Sequence, residues 1–121
     1  MPPDRGQAAV EVALVLPLLV TVLLGLVQVG LIVRDQLLVT HAAREAARAT
    51  AVDPAPEAAR RAAVAAGSLD PDRLQVRTSG RDGPGSRVRV ALRYRVSTRV
   101  PVIGPLIGDI ELRADATMRV E

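Results

Sequence analysis

The chain has 121 residues, a length that is enough for one small domain and one additional segment, and its net charge is +3. Cysteine is absent, and this excludes disulfides, thiolate metal sites and a thiol nucleophile. Every cationic side chain is arginine and Tyr94 is the only aromatic residue. The aromatic platforms on which nucleic-acid bases stack are therefore missing, and nucleic acid is not an expected partner.

The first predicted element is a membrane-spanning helix. Residues 12–33 contain no charged side chain over 22 positions, and a bilayer core requires about 20 apolar helical residues. The apolar region of a signal peptide has only about 7–15 residues, and no small-x-small cleavage motif precedes Arg34. Pro17, Thr21 and Gln28 are tolerated in such a helix. The flank MPPDRG is slightly positive, which favours a cytoplasmic N-terminus and an extracytoplasmic C-terminal domain.

The helical pattern continues beyond the apolar stretch. Good helix formers follow Arg34 without glycine or proline until Pro54, so a helix over residues 7–51 would be about 67 Å long, roughly twice the hydrocarbon thickness. Its second half is expected to project into water or along another subunit. The small side chains of this half, among them Ala43, Ala46 and Ala47, would let a second helix approach closely.

A short alanine-rich helix is predicted over residues 54–66. It follows the breaker Asp53-Pro54-Ala55-Pro56, and proline is tolerated in a first helical turn. Glu57 places a negative charge near the N-terminus, where the helix dipole favours it. Gly67-Ser68 ends this helix.

The remaining residues alternate between apolar and polar with period two, which predicts three strands. These strands cover residues 74–78, 88–96 and 110–120, and residues 79–86 (SGRDGPGS) form a turn by composition. Antiparallel pairing would bring outward acidic and basic residues close together. We therefore expect an α+β fold. It combines a long N-terminal transmembrane helix extending out of the membrane, a short alanine-rich helix and a small three-stranded antiparallel sheet.

The connection between the last two strands is unusually apolar. Residues 100–109 (VPVIGPLIGD) contain five large aliphatic side chains, two prolines and two glycines. Two interpretations remain open. The segment is either a loop tucked over the sheet or a contact surface for another subunit or for membrane headgroups.

No residue pattern in the chain predicts catalysis. His41 is the only histidine and lies in a helical stretch, and the acidic residues show no metal-ligand spacing. The sequence DGPGS at residues 82–86 lacks a following Lys-Ser/Thr and opens no helix, so it predicts a turn rather than a phosphate-binding loop. We expect a non-enzymatic chain without a cofactor, a metal or a small-molecule substrate.

Glu11 is a carboxylate at the start of the apolar stretch, five residues after Gly6. An unpaired acid at the bilayer centre would cost about 2.5–3.5 kcal/mol, although the cost falls near the membrane surface. Glu11 is either tolerated there or paired. The available cations are Arg5 and, if the chain is cut after Gly6, the new α-amino group of Gln7.

One motif resembles the processing site of type IV prepilins: a glycine (Gly6), four further residues, a glutamate (Glu11) and then an apolar helix. The longer stretch RGQAAVEVALVLPLLVTVLLGLVQVG, followed by THAAREAARATAV, resembles the TadE-like family of pseudopilins, and LRADATMRVE is similar to that family's closing strand. The resemblance is strongest over residues 5–52. The chain departs from the family at Val12, where an aromatic residue is common, and at Ala46, where glycine is usual.

The resemblance implies a minor pseudopilin of a Tad/Flp pilus or a related secretion system. The precursor would be cut between Gly6 and Gln7 by a prepilin peptidase, with Glu11 required for processing, assembly or both. The other implied partners are the membrane, further pilin or pseudopilin subunits and Tad assembly-platform proteins. The residues implied in helix packing and assembly are Glu11, Pro17, Gly25, Gly30, Ala43, Ala46 and Ala47.

The implied organisation is a leader at residues 1–6, a transmembrane and projecting helix at 7–52, and a small extracytoplasmic domain at 53–121. The alternative function is that of a single-pass membrane protein whose outer domain binds an envelope partner without entering a filament.

Overall fold

The computed structural model describes residues 3–80, 82–96 and 108–120, with side chains from Arg5 onward. Its helices are α1 (Pro3–Val52) and α2 (Pro56–Gly67), and its strands are β1 (Leu74–Ser79), β2 (Arg87–Val96) and β3 (Ile110–Arg119). A short 3₁₀ turn at Pro71–Arg73 precedes β1. The predicted α+β class is confirmed, with the long helix, the shorter helix and the three strands in the expected order.

Helix α1 is continuous over 50 residues, or about 75 Å. It begins at Pro3, four residues before the predicted start, and it contains Pro17. The Thr21 hydroxyl donates a hydrogen bond to the Pro17 carbonyl at 2.8 Å, so this polar side chain is satisfied by its own helix. Such back-bonding explains why Thr21 fits within an apolar helix.

Helix α2 packs closely against α1 at its C-terminal end. A Cβ atom on Gly67 would lie 2.9 Å from Leu69 Cγ, 3.2 Å from Ala42 Cβ and 3.2 Å from the Leu38 carbonyl oxygen. Ser68, with φ of 50°, takes the left-handed conformation that ends the helix. Gly67 is thus required for the close approach of two helices, while its neighbour makes the turn.

The three strands form one antiparallel sheet in the order β1-β2-β3. In β2 the inner residues Val88, Val90 and Leu92 are fully buried, which confirms the predicted alternation. In β3 Leu112 is buried, whereas Met118, predicted to face inward, is 37% exposed. Met118 lies opposite the buried Val88 but on the edge strand β3, which has a neighbouring strand on one side only.

Both helices lie on the same face of the sheet, and the core between the two layers is aliphatic. Its buried members come from both helices, all three strands and the α2–β1 connection: Val39, Ala42, Ala43, Ala46, Ala47, Ala59, Ala63, Leu69, Leu74, Val90, Leu92, Val96 and Leu112. The opposite face of the sheet is exposed to solvent. Residues 97–107, which include most of the predicted apolar connection, lie outside the described residues.

Strand β3 runs along α1 in the same direction. The Gln36 amide donates to the Arg113 carbonyl at 3.0 Å, and further along both elements Ala51 packs with Val88 and Val120. The helix rises about 22 Å from Gln36 to Ala51 at 1.5 Å per residue. The strand rises about 23 Å from Arg113 to Val120 at 3.3 Å per residue. Because the two distances agree, the strands lie nearly parallel to the helix axis.

Candidate functional site

The N-terminal half of α1 is not covered by any described part of the chain. Residues 5–23 are all exposed, including every large aliphatic side chain of the apolar stretch up to Leu23. Within α1 an 18-residue window has a mean hydropathy of 2.6 and is 0% buried. The uncovered half is about 28 Å long, close to the thickness of about 30 Å of a bilayer's hydrocarbon core. By length and composition, α1 is therefore a candidate single-pass membrane anchor.

One face of the second half of α1 is covered by the rest of the fold, while the other face stays exposed. Burial begins at Leu24 and Gly25, which are half-buried, and becomes nearly complete at Gln28, which is 3% exposed. The charge-free stretch continues to Val33, and among its residues 24–33 Gln28 is buried, while Leu24, Gly25, Leu31 and Ile32 are half-buried and the other five are exposed. The boundary between the uncovered and the covered half thus falls inside the apolar stretch rather than at its end.

Gly6 and Gln7 lie near the N-terminal end of α1, and both are exposed. No atom lies within 4 Å of a Cβ placed on Gly6. The bond between these residues is in helical backbone about one turn after Pro3. Glycine destabilises this turn by up to about 1 kcal/mol relative to alanine.

Glu11 is exposed on the uncovered half and has no ion pair or hydrogen bond within the described part of the chain. Arg5, one of its two predicted cations, lies about 9 Å away along the axis and about 120° around the helix. Gln7 lies one turn before Glu11 and within about 40° of its face. The helix therefore directs Glu11 toward the side of Gln7 and away from Arg5.

The predicted helix-packing residues fall into two groups. Pro17 and Gly30 are exposed and Gly25 is half-buried, and a Cβ on Gly30 would meet no atom within 4 Å. Ala43, Ala46 and Ala47 are fully buried in the core of the same chain. These alanines allow the close approach of α2 and the sheet to α1. Gly30, in contrast, stays available to an external helix.

Sequence reasoning missed the inward orientation of two polar residues of α1. Gln28 is buried, and its Oε1 atom has no hydrogen-bond partner among the described residues. Asp35 is 6% exposed, one heptad after Gln28 on the same face. The signal was their helical spacing with the core residue Ala42, seven positions after Asp35, since positions seven apart share one face of a helix.

The described residues contain no group of three or more His, Cys, Asp or Glu side chains that could hold a metal ion. His41 is exposed on α1. Ser86 belongs to the turn between β1 and β2, where its Oγ atom accepts a hydrogen bond from the Asp82 backbone amide at 3.1 Å. The Ser86 hydroxyl thus stabilises the turn in which it lies. The absence of a cofactor and of catalysis stays a prediction.

Comparison with protein families matches residues 6–48 to the TadE-like protein family. These residues form a TadE-like segment. The match confirms the resemblance read from the sequence over these residues. The TadE-like segment begins at Gly6, contains the whole uncovered half of α1 beyond that residue and ends among the buried alanines. No curated protein and no solved structure matches the chain.

Proposed function

We propose that this chain is a membrane-anchored minor pseudopilin that takes part in assembly of a Tad/Flp-type pilus or a related secretion apparatus. The observation that carries the proposal is the division of α1. Its TadE-like segment includes an uncovered apolar helix of bilayer length, joined without a break to a helix that forms the core of a small domain. Such a helix is able to leave the bilayer and pack beside other pilin helices.

The uncovered half of α1 sets the depth of the chain in the membrane. If residues 5–23 occupy the hydrocarbon, the covered half and the sheet lie outside it. The buried Gln28 then stays under the domain and away from lipid. In this arrangement the N-terminus is cytoplasmic, and Glu11 lies about 9 Å along the helix from Arg5, inside the apolar layer.

Processing removes residues 1–6 in this proposal. A prepilin peptidase cuts between Gly6 and Gln7, and the new α-amino group becomes the positive partner of Glu11. Gln7 is four positions before Glu11, which supports pairing within one chain. Pairing with the amine of a neighbouring subunit would instead fix the axial register between packed helices. Either pairing offsets the cost of an acid in hydrocarbon.

The processing step is tested by intact mass measurement of the full chain from a host with an active prepilin peptidase. The expected mass is that of residues 7–121. A matched chain expressed without the peptidase should retain MPPDRG. An uncut chain in the presence of the active peptidase would reject processing.

The role of Glu11 is tested by Glu11→Ala, with Thr21→Ala as the matched control. Both changes remove a polar group from the uncovered half of α1, but the Thr21 hydroxyl is already bonded to its own helix. We expect Glu11→Ala to leave membrane insertion intact while reducing the amount of chain recovered with sheared pili. Thr21→Ala should change neither quantity. Normal assembly of Glu11→Ala would reject the charge pair.

Pilus shearing also separates the proposal from the alternative of an anchored partner-binding protein. A pseudopilin is expected to appear with sheared filaments as well as in the membrane. A chain that remains wholly in the membrane fraction, in cells that form pili, would favour the alternative.

A further inference from the structure

The outer face of the sheet, opposite the helices, is strongly basic. We call it the arginine face: it contains seven exposed arginines and two exposed carboxylates, namely Arg77, Arg87, Arg89, Arg93, Arg95, Arg113, Arg119, Glu111 and Asp115. This face has a surplus of five positive charges. Because the whole chain carries +3, the rest of the chain sums to −2. The positive charge of the protein is thus concentrated on one surface.

The strand register places like charges directly opposite each other on this face. Arg87 pairs with Arg119 and Arg93 with Arg113 across β2 and β3. Directly opposed like charges destabilise a sheet. Glu111 bridges Arg93 and Arg113, whereas no described carboxylate pairs with Arg87 or Arg119, and an anionic partner over the face would offset the repulsion there.

The carboxylates of the arginine face are already engaged. Asp115 lies 3.1 Å from Arg89, and Glu111 lies 3.6 Å from Arg93 and 3.2 Å from Arg113. Four arginines have no ion pair or hydrogen bond within the described part of the chain: Arg77, Arg87, Arg95 and Arg119. They surround the paired residues on several sides. The face therefore presents donors for several external carboxylates.

The orientation of the sheet decides which kind of partner reaches the face. The strands lie nearly parallel to α1, and the face points away from it. With α1 crossing the bilayer, the arginine face stands upright beside the helix and points along the membrane plane. Strand β3 starts three residues before Arg113, which places the lower end of the face near the level of Gly30. A lateral neighbour reaches this surface, whereas lipid headgroups meet only its lower edge.

The chemistry of the face favours carboxylates on a protein. Arginine binds carboxylates with a planar two-donor fork. Bases of single-stranded nucleic acid would need aromatic platforms. Tyr94, the only aromatic residue, lies on the inner side of β2, and its hydroxyl accepts a hydrogen bond from the Asp70 amide. A second copy is also a poor partner because it would have to offer an acidic surface. Outside the face, acidic residues alternate with arginines, as Glu45 does with Arg44 and Arg48.

We propose that the arginine face docks an acidic surface of a different, neighbouring protein. This inference goes beyond the proposed pseudopilin role and holds for an anchored protein that never enters a filament.

The test uses the full chain in phosphatidylcholine nanodiscs and poly-L-glutamate as the probe at low ionic strength. One variant combines Arg77→Gln, Arg87→Gln and Arg95→Gln. The matched control combines Arg44→Gln, Arg48→Gln and Arg61→Gln, which are exposed arginines outside the face. Both variants lose three positive charges. We expect the first to weaken binding about ten-fold, as for the loss of several exposed charge contacts, and the control to change it much less.

Equal losses in both variants would overturn the proposal, because binding would then follow net charge alone. Face-dependent binding of duplex DNA that is tighter than that of poly-L-glutamate would also overturn it, in favour of nucleic acid. The proposal would likewise be overturned, in favour of anionic lipid, if the face variant alone loses affinity for phosphatidylglycerol nanodiscs and still binds poly-L-glutamate. Self-association that disappears in the face variant would instead assign the face to a second copy.

Discussion

The two halves of α1 are one continuous helix in two different environments. The first half, residues 5–23, presents aliphatic side chains that no described residue covers. The second half presents small side chains such as Ala43 and Ala47, which are fully buried beneath α2 and the sheet. The apolar stretch of a helix therefore need not end at the residue where its burial by the fold begins. Here they overlap from Leu24 to Val33.

If α1 crosses a bilayer, this overlap places the small domain close to the membrane. If the domain covers α1 from Leu24 onward, little helix remains between the uncovered span and the lower end of the sheet near Gly30. The domain would thus stand directly on the bilayer surface rather than on a long stalk. The following changes test this difference between the two halves, from the largest expected effect to the smallest.

Leu92→Ala removes a fully buried side chain from the core beneath the second half of α1. We expect a loss of about 2–5 kcal/mol in the free energy of unfolding, because the cavity and the lost burial both destabilise the domain. Urea unfolding in phosphatidylcholine vesicles, followed by the fluorescence of Tyr94, the only aromatic residue of the chain, measures the effect.

Leu18→Ala is the matched control for Leu92→Ala, since Leu18 is 63% exposed on the uncovered half. The urea midpoint of the domain should stay unchanged in this variant. A comparable shift in both variants would contradict the division of α1 into an uncovered and a covered half.

Gly67→Ala tests the close contact between α2 and α1. The new Cβ would lie 2.9 Å from Leu69 Cγ and 3.2 Å from two atoms of α1, so we expect destabilisation of about 1–3 kcal/mol from overpacking. Gly30→Ala, where no atom lies within 4 Å, should be neutral or stabilising by up to about 1 kcal/mol through helix propensity. The thermal unfolding midpoints of the two variants measure the difference. Similar midpoints would contradict the close contact of Gly67 with α1.

Gln28→Leu tests the boundary between the two halves. The Gln28 Oε1 atom is buried without a hydrogen-bond partner in the described part of the chain. Replacing this amide with an apolar side chain of similar size should stabilise the domain by about 1 kcal/mol, since a buried polar atom no longer has to be desolvated. The same urea titration measures the change. A loss of stability would show that Gln28 makes a favourable polar contact in the membrane-bound chain.

Arg119→Glu tests the like-charge pairs of the arginine face. The change places a carboxylate opposite Arg87, and we expect stabilisation of about 0.2–1 kcal/mol at low ionic strength. Added salt should reduce the gain because both groups are exposed. Arg61→Glu on the exposed side of α2 is the charge-matched control. An equal gain in that control would assign the effect to net charge instead of register.

The order and type of the elements could be predicted from the sequence alone. Periodicity gave α1, α2 and the three strands, because side-chain alternation of 3.6 or two residues is a local property. The extent of α1 and of β2 was close to that observed. The TadE-like segment was also recognisable, since its motif from Gly6 to Glu11 and its apolar helix are consecutive in the chain.

Part of the candidate site was also visible in the sequence, but its surroundings were not. The charge-free stretch pointed to a membrane helix and to Glu11 as its unusual member. The expected proximity of outward acids and arginines is present in the pair Arg89–Asp115. The opposition of Arg87 and Arg119 was not foreseen, because strand register depends on how the whole hairpin packs.

By itself, the sequence determined which stretches become helices and strands, which one is apolar enough to cross a bilayer, and which family segment the chain carries. Only the tertiary structure decided that burial of α1 begins at Leu24, that Gln28 turns inward and that seven arginines share one face. The physical reason is the range of the interactions. Helix and strand periodicity is set by neighbouring residues, whereas burial and register arise from contacts between segments far apart in the chain.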